Sequence, residues 1–292
     1  MVFSQLILNG LIAGAIYALV ACGFSLIYST NKFMHFAHGS SVVVGGYLLY
    51  SLFNSVGISF YLACILTIII TGLFGLGMNV LVYSPLQKKK SSNIILLIAS
   101  IGLLILFQNI VQLKYGASVK SIGYGNVSKG IIFLGASITK LQMVLLAVSI
   151  VLFLVLYLFM KKTTLGRNMR AVSDNTELAS IVGINTKQVK NYSFFIGSCL
   201  AGIAGILIGL EQNLTPVMGT ELMIKGFTGA VVGGITSVPG AIVGSFLLGL
   251  VENVGIWFLP SGYKNGIAFL LLFVFLLLKP AGLFGLNKGI KK

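Results

Sequence analysis

The chain has 292 residues, of which 57% are hydrophobic and only 9% charged, and its mean hydropathy is +1.02. That balance excludes a soluble globular domain of this length and leaves a polytopic membrane protein. The formal net charge of +15 does not call for nucleic acid, because the lysines gather in short polar gaps between apolar runs, where membrane orientation requires basic residues.

The stretch from Met1 to Tyr28 lacks the basic region of a signal peptide, and its apolar part is longer than a signal-peptide core, so it is expected to remain as the first span. Counting from Phe3–Tyr28, apolar runs follow near Ser40–Phe53, Ile58–Tyr83, Asn93–Leu113, Leu141–Met160, Tyr192–Gln212, Leu222–Ile235, Ala241–Phe258 and Lys264–Leu278. About six or seven of them reach the roughly 20 residues that a full crossing takes. Ser40–Phe53 and Leu222–Ile235 are short and rich in glycine, which reads as broken, tilted or partly re-entrant helices. The expectation is an all-α polytopic protein with about eight to nine membrane segments, two of them short or broken. It is expected to form a single transmembrane domain over residues 1–292 with no soluble domain appended.

Orientation follows from basic residues. Lys88–Lys90, the loop at 161–190 and the tail Lys279–Lys292 are mutually consistent as cytoplasmic, which places the N-terminus and the loop from Lys114 to Lys140 outside. An internal comparison adds to this. GLIAGAIYALVACG at Gly10, followed by HGSSVVVGG ending at Gly46, resembles GSCLAGIAGILIG at Gly197, followed by FTGAVVGG ending at Gly234. The topology sends one unit inward and the other outward, the relation of inverted repeats, and a path for solute would then run between the two short segments.

Catalytic chemistry has little to stand on. Cys22, Cys64 and Cys199 lie in apolar runs without metal-ligand spacing, His35 and His38 have no cysteine beside them, and the first half of the chain has no carboxylate. There is no GxxxxGK[ST] loop, so nucleotide hydrolysis by that route belongs to a partner. No cofactor, metal or enzyme activity is expected. Glu211 and Glu252 sit at the ends of apolar runs, where a carboxylate reads first as interfacial and hydrated.

Asn31–Gly39 interrupts the apolar pattern and then opens a short helix. Two readings are open there: a cytoplasmic turn with two solvated histidines, or a helix N-terminus whose free N–H groups meet a carboxylate. Phe36, His38, Gly39, Gly45, Gly229, Gly233 and Pro239 are the candidate pathway residues. For the glycines, close helix packing competes with a pathway, and both ask for small residues.

Lys161–Lys190 is the one long polar passage. It holds both arginines, Arg167 and Arg170, one helical turn apart, suited to acidic groups of a docked protein or to lipid phosphates. Asp174 with Glu177 reads as a capping box, and Gly183 suits the left-handed position that ends a helix, so a helix of about 12 Å is expected from Asn175 to Val182. Leu178, Ile181 and Val182 form an apolar stripe on it that must press against something outside the membrane. A helix with a defined stop favours protein docking over lipid anchoring alone.

NGLIAGAIYALVACGFSLIYSTNKFMHFAHG, TLGRNMRAVSDNTELASIVGIN, GGITSVPGAIVGSFLLGLVE and KPAGLFG together resemble the LivH-type permease subunits of branched-chain amino acid ABC importers, in order and over nearly the whole chain. The resemblance implies a second permease subunit, a LivM-like paralogue, two cytosolic ABC ATPases, an extracytoplasmic solute-binding protein and a place in the cytoplasmic membrane among its lipids. Glu177, Ala179 and Gly183 are similar to the family's EAA loop, which contacts the ATPase, while Leu178 departs from its second position. Phe36, Ala37, His38 and Gly39 match the family's run, whereas His35 stands where asparagine is expected. Gly233, Gly234, Pro239 and Gly240 match a GG…PG turn expected to bend the second broken helix.

Overall fold

A backbone surrounded by hydrocarbon has to satisfy its own N–H and C=O groups, and every apolar run of this chain does so as helix. The computed structural model describes residues 2–124, 130–133 and 135–285. Helix α1 spans Val2–Asn31, α2 His38–Tyr50, α3 Phe60–Met78, α4 Ser84–Lys88, α5 Asn93–Tyr115, α6 Lys140–Lys162, α7 Thr164–Asp174, α8 Thr176–Ile181, α9 Thr186–Glu211, α10 Met218–Gly233, α11 Val238–Gly255 and α12 Lys264–Leu278. Helix α2 continues through wide π-type turns at Ser51–Ser55, and the same kind of turn at Asn79–Tyr83 joins α3 to α4. Among the described residues, seven helices are long and apolar enough to cross a membrane, and α2 and α10 fall short, as their sequences indicate.

The bundle has a centre and a rim. Helices α1 and α9 are the most enclosed, whereas α5, α6 and α12 turn Ile98, Ile105, Val144, Leu154, Leu270 and Phe273 outward. Apolar side chains on an outer surface of this extent fit hydrocarbon as solvent. At one end of the bundle lies a small antiparallel hairpin, β1 Ile131–Phe133 with β2 Ala136–Ile138, which the sequence reading leaves as loop. Gln5 of α1 holds it by donating to the Ser137 carbonyl and accepting from the Ser137 N–H. The polar elements α7 and α8 lie at the opposite end. Lys288, Lys291 and Lys292, part of the basic tail used for orientation, lie outside the described residues, as does Lys129.

Helices α1 and α10 run in one sense and α2 and α9 in the other. Each short helix packs on the long helix of the other unit, α2 on α9 and α10 on α1, and α10 packs still more extensively on α11. Glycine makes these approaches: a Cβ at Gly45 would strike the Gly202 backbone, one at Gly205 the Val42 carbonyl, and one at Gly226 the Val20 side chain. The GG…PG stretch is a turn between two helices and not a bend within one. Gly234, at φ 115°, leaves α10, and the Ser237 hydroxyl accepts from Gly240 N–H to open α11. The segment that follows α12 closes that turn, since Leu283 and Phe284 N–H groups donate to the otherwise free carbonyls of Val232 and Gly233 at 2.9 Å.

Candidate functional site

The elbow of α7 and α8 is built from caps. Thr163 Oγ1 accepts from Gly166 N–H to start α7, and Gly166 lets that helix fold back on the last turn of α6. Lys32 Nζ donates to the Ser173 carbonyl at 2.6 Å, which ties the last turn of α7 to the end of α1. The cap of α8 is Asn175, not Asp174. Asn175 Oδ1 accepts from the N–H groups of Glu177 and Leu178 at 2.9 and 3.0 Å, while Asp174 is the last residue of α7. Helix α8 ends as expected at Gly183, φ 86°, with Gly183 N–H on Ser180 O and Ile184 N–H on Ala179 O, the paired bonds of a Schellman stop.

These caps turn one short helix edge-on to the rest of the molecule. Ala179 is buried with Leu26, Met169, Val172 and Val189, so α8 is seated on the ends of α1, α7 and α9. Leu178, Ile181 and Val182 face outward and are 59%, 78% and 74% exposed, with Glu177 exposed beside them. Arg167 folds on its own helix start, with Nη2 3.2 Å from Thr164 Oγ1. Arg170 is exposed and lines, with Lys161, Ser173, Thr236, Ser237 and Pro239, a cavity of about 350 Å³.

The pathway candidates divide. His35 and His38 are fully buried, so the solvated turn is not what forms. His35 Nδ1 lies 3.0 Å from Tyr83 Oη, and the ring of His38 fills the space left by Gly23. Nor are the first amides of α2 open to a carboxylate: Ala37 N–H donates to Ser100 Oγ, and Gly39 and Ser40 N–H groups donate to Phe36 and Ala37 carbonyls. Gly39 meets Gly219 of α10 backbone to backbone, and Gly229 and Gly233 make the same kind of approach to Ser245 and Gly240 of α11. Gly45 likewise abuts Gly202, so all four glycines serve helix packing within this chain. Phe36 stays half-buried against Phe227, 5.4 Å between centroids, and Pro239 is exposed in the first turn of α11.

One group of residues is missed by the sequence reading. Glu252 is completely buried, not interfacial: its Oε2 accepts from Tyr17 Oη at 2.9 Å and from Lys225 Nζ at 3.3 Å, and Lys225 also donates to Tyr17 Oη at 3.0 Å. Three helices, α1, α10 and α11, thus meet at an ion pair that joins the middle of α1 and α10 to the last turn of α11. The signal was present, because Lys225 and Glu252 both interrupt apolar runs and intramembrane charges come in pairs. Glu211 does end its helix in partly open surroundings, where Gln142 Nε2 donates to it at 2.8 Å.

A helical bundle with a lipid-suited rim, a charged pair at its centre and a capped polar elbow at one end defines a polytopic all-α membrane protein. The match to the family described as branched-chain amino acid transport system / permease component runs over residues 6–276, and the chain belongs to that family. It is 33% identical, over 97% of its length and 96% of the relative's, to the high-affinity branched-chain amino acid transport system permease protein LivH of Salmonella typhimurium. The same identity and coverage hold for BraD, the corresponding permease protein of Pseudomonas aeruginosa. The autoinducer 2 import system permease protein LsrC of Escherichia coli is 29% identical over 88% of this chain and 74% of its own. Among solved structures, PsaBC from Streptococcus pneumoniae in complex with Fab shares the fold at a TM-score of 0.52 and 15% identity, covering 94% of this chain and 91% of that one. This chain is a LivH-type permease.

Proposed function

We propose that the chain is one of two permease subunits of an ATP-driven importer for branched-chain or related amino acids, with a LivM-like paralogue as its partner in the cytoplasmic membrane. One of two ABC ATPases docks on the α7–α8 elbow from the cytosol and the other on the partner permease, and an extracytoplasmic binding protein delivers the solute at the hairpin end. The observation that carries this reading is the apolar stripe of Leu178, Ile181 and Val182. It is held outward on a helix too short to span, capped at both ends and anchored through Ala179. Exposed apolar side chains rigidly presented in this way fit a groove on another protein.

Closure of the ATPase pair moves α8, and the Ala179 contacts pass that motion to the ends of α1 and α9, so that the two halves rock about a path at mid-membrane. The contacts of α8 must differ between the two states for the coupling to have any force. Liposomes holding the permease pair alone test the reading against an autonomous transporter. The expected result is no accumulation of amino acid until ATPases, ATP and binding protein are supplied. Accumulation by the permeases alone, driven by an ion gradient, contradicts it.

A further inference from the structure

The buried ion pair between α10 and α11 is only half finished. Tyr17 and Lys225 both serve one oxygen of Glu252, Oε2, while Oε1 is enclosed without a hydrogen-bond partner. Lys225 Nζ carries three protons, and Tyr17 Oη and Glu252 Oε2 are the acceptors it meets. A pair kept only to fasten helices would be poorly designed this way, because a buried carboxylate oxygen without a donor is costly and apolar residues of similar volume hold helices as well or better. The same helices are already in close contact elsewhere, at Gly226 against Val20, Gly229 against Ser245 and Gly249 against Gly10 and Gly14.

What the pair leaves open has a definite chemistry: Glu252 Oε1 can accept from an ammonium, and the third proton of Lys225 Nζ can be given to a second carboxylate. Both groups occur together, a few ångströms apart, on the head of a free α-amino acid. Resting on the importer reading above, we infer that Lys225 and Glu252 form a head-group site for zwitterionic α-amino acids inside the helix bundle, opening their mutual ion pair to take the substrate's carboxylate and ammonium respectively. The exchange replaces one internal pair by two pairs with the ligand, and the charges balance before and after. A lone amine or a lone carboxylate leaves one buried charge without a counterion, so the site discriminates against both.

The surroundings agree. The Lys225 side chain keeps 14% of its surface exposed, whereas that of Glu252 has none, so the lysine is the member a solute meets first. Tyr17 holds the carboxylate in place through its hydroxyl and is a positioning residue.

The test uses the complete complex of permeases, ATPases and binding protein in liposomes, with ATP and a mixture of uniformly labelled amino acids as the probe. The double variant Lys225→Met with Glu252→Gln removes both charges with little change of shape. It is expected to assemble with its partners at wild-type yield and to lose at least about tenfold in uptake. Lys264→Met removes a neighbouring positive charge that is bonded to Asn253 and also acts through space on both members of the pair, and is expected to lower uptake far less than the double variant. Wild-type uptake by the double variant overturns the inference. So does its failure to assemble, which marks the pair as a fastener, or an equal loss in Lys264→Met, which marks general electrostatic disturbance. A wild-type complex that imports no amino acid fails the importer reading itself, a result distinct from these.

Discussion

Replacing Leu178, Ile181 and Val182 together by alanine removes roughly eight methyl or methylene carbons from the outward face of α8, each contributing about 0.8 kcal/mol when buried. These side chains are 59%, 78% and 74% exposed, so about seven-tenths of that surface is still available for a partner to cover. The product is about 4 kcal/mol of docking free energy, or roughly a thousandfold in ATPase affinity. The permease itself should scarcely notice. Side chains this open add little to its own core, and surface changes of this kind stay within about 0.5 kcal/mol. The assay is titration of purified ATPase on permease pairs in nanodiscs, beside a thermal melt of the permease alone. Unchanged ATPase affinity in a triple variant that melts like the wild type refutes the reasoning.

Three smaller perturbations separate the parts of the elbow and the bundle. Asn175→Ala strips the acceptor from Glu177 and Leu178 N–H groups and should cost about 1 kcal/mol of α8 stability, seen as faster hydrogen exchange in that helix. Asp174→Ala should leave the same amides protected; the reverse pattern restores the capping box. Gly183→Pro replaces a φ of 86° by one near −65° and deletes the N–H bonded to Ser180, so α8 loses its stop and ATPase co-purification should fall while membrane insertion is retained. Gly229→Leu drives a side chain into the Ser245 backbone between α10 and α11 and should lower the yield of monodisperse protein, at a cost of about 1–3 kcal/mol or more. Wild-type yield and melting would mean that those helices are not in contact in the membrane.

Much of this arrangement is legible from residue order because hydrocarbon leaves the backbone few options. Runs of apolar residues become helices, and their lengths separate the seven crossing helices from the short α2 and α10. The elbow is legible for the same local reason: Gly183 suits a left-handed stop, and the polar passage has no room to cross. Its cap is misread by one residue because Asp174 and Asn175 are both good caps. The choice falls to Asn175, since α7, whose start depends on Thr163 and Gly166, continues through Asp174.

The buried features escape a reading of order alone. Lys225, Glu252 and Tyr17 come from separate helices, and only the packing of α1, α10 and α11 brings them within hydrogen-bonding distance. His35 and His38 look like turn residues until Tyr83 and Phe194 close over His35 and α1 leaves a gap at Gly23 for His38. The glycines could be assigned to packing only once each had a backbone opposite it. The hairpin at β1 and β2 is short and takes its support from Gln5, far away in the chain.

Where the outward face of α8 lies in an assembled transporter decides whether it couples to an ATPase. A photo-crosslinking residue in place of Ile181, activated in intact cells that express all subunits, gives the most direct answer. The account predicts a single major adduct with the ATPase, its yield changing when nucleotide is trapped. Adducts with lipid, or labelling of the same position by a membrane-impermeant reagent added outside the cell, contradict it.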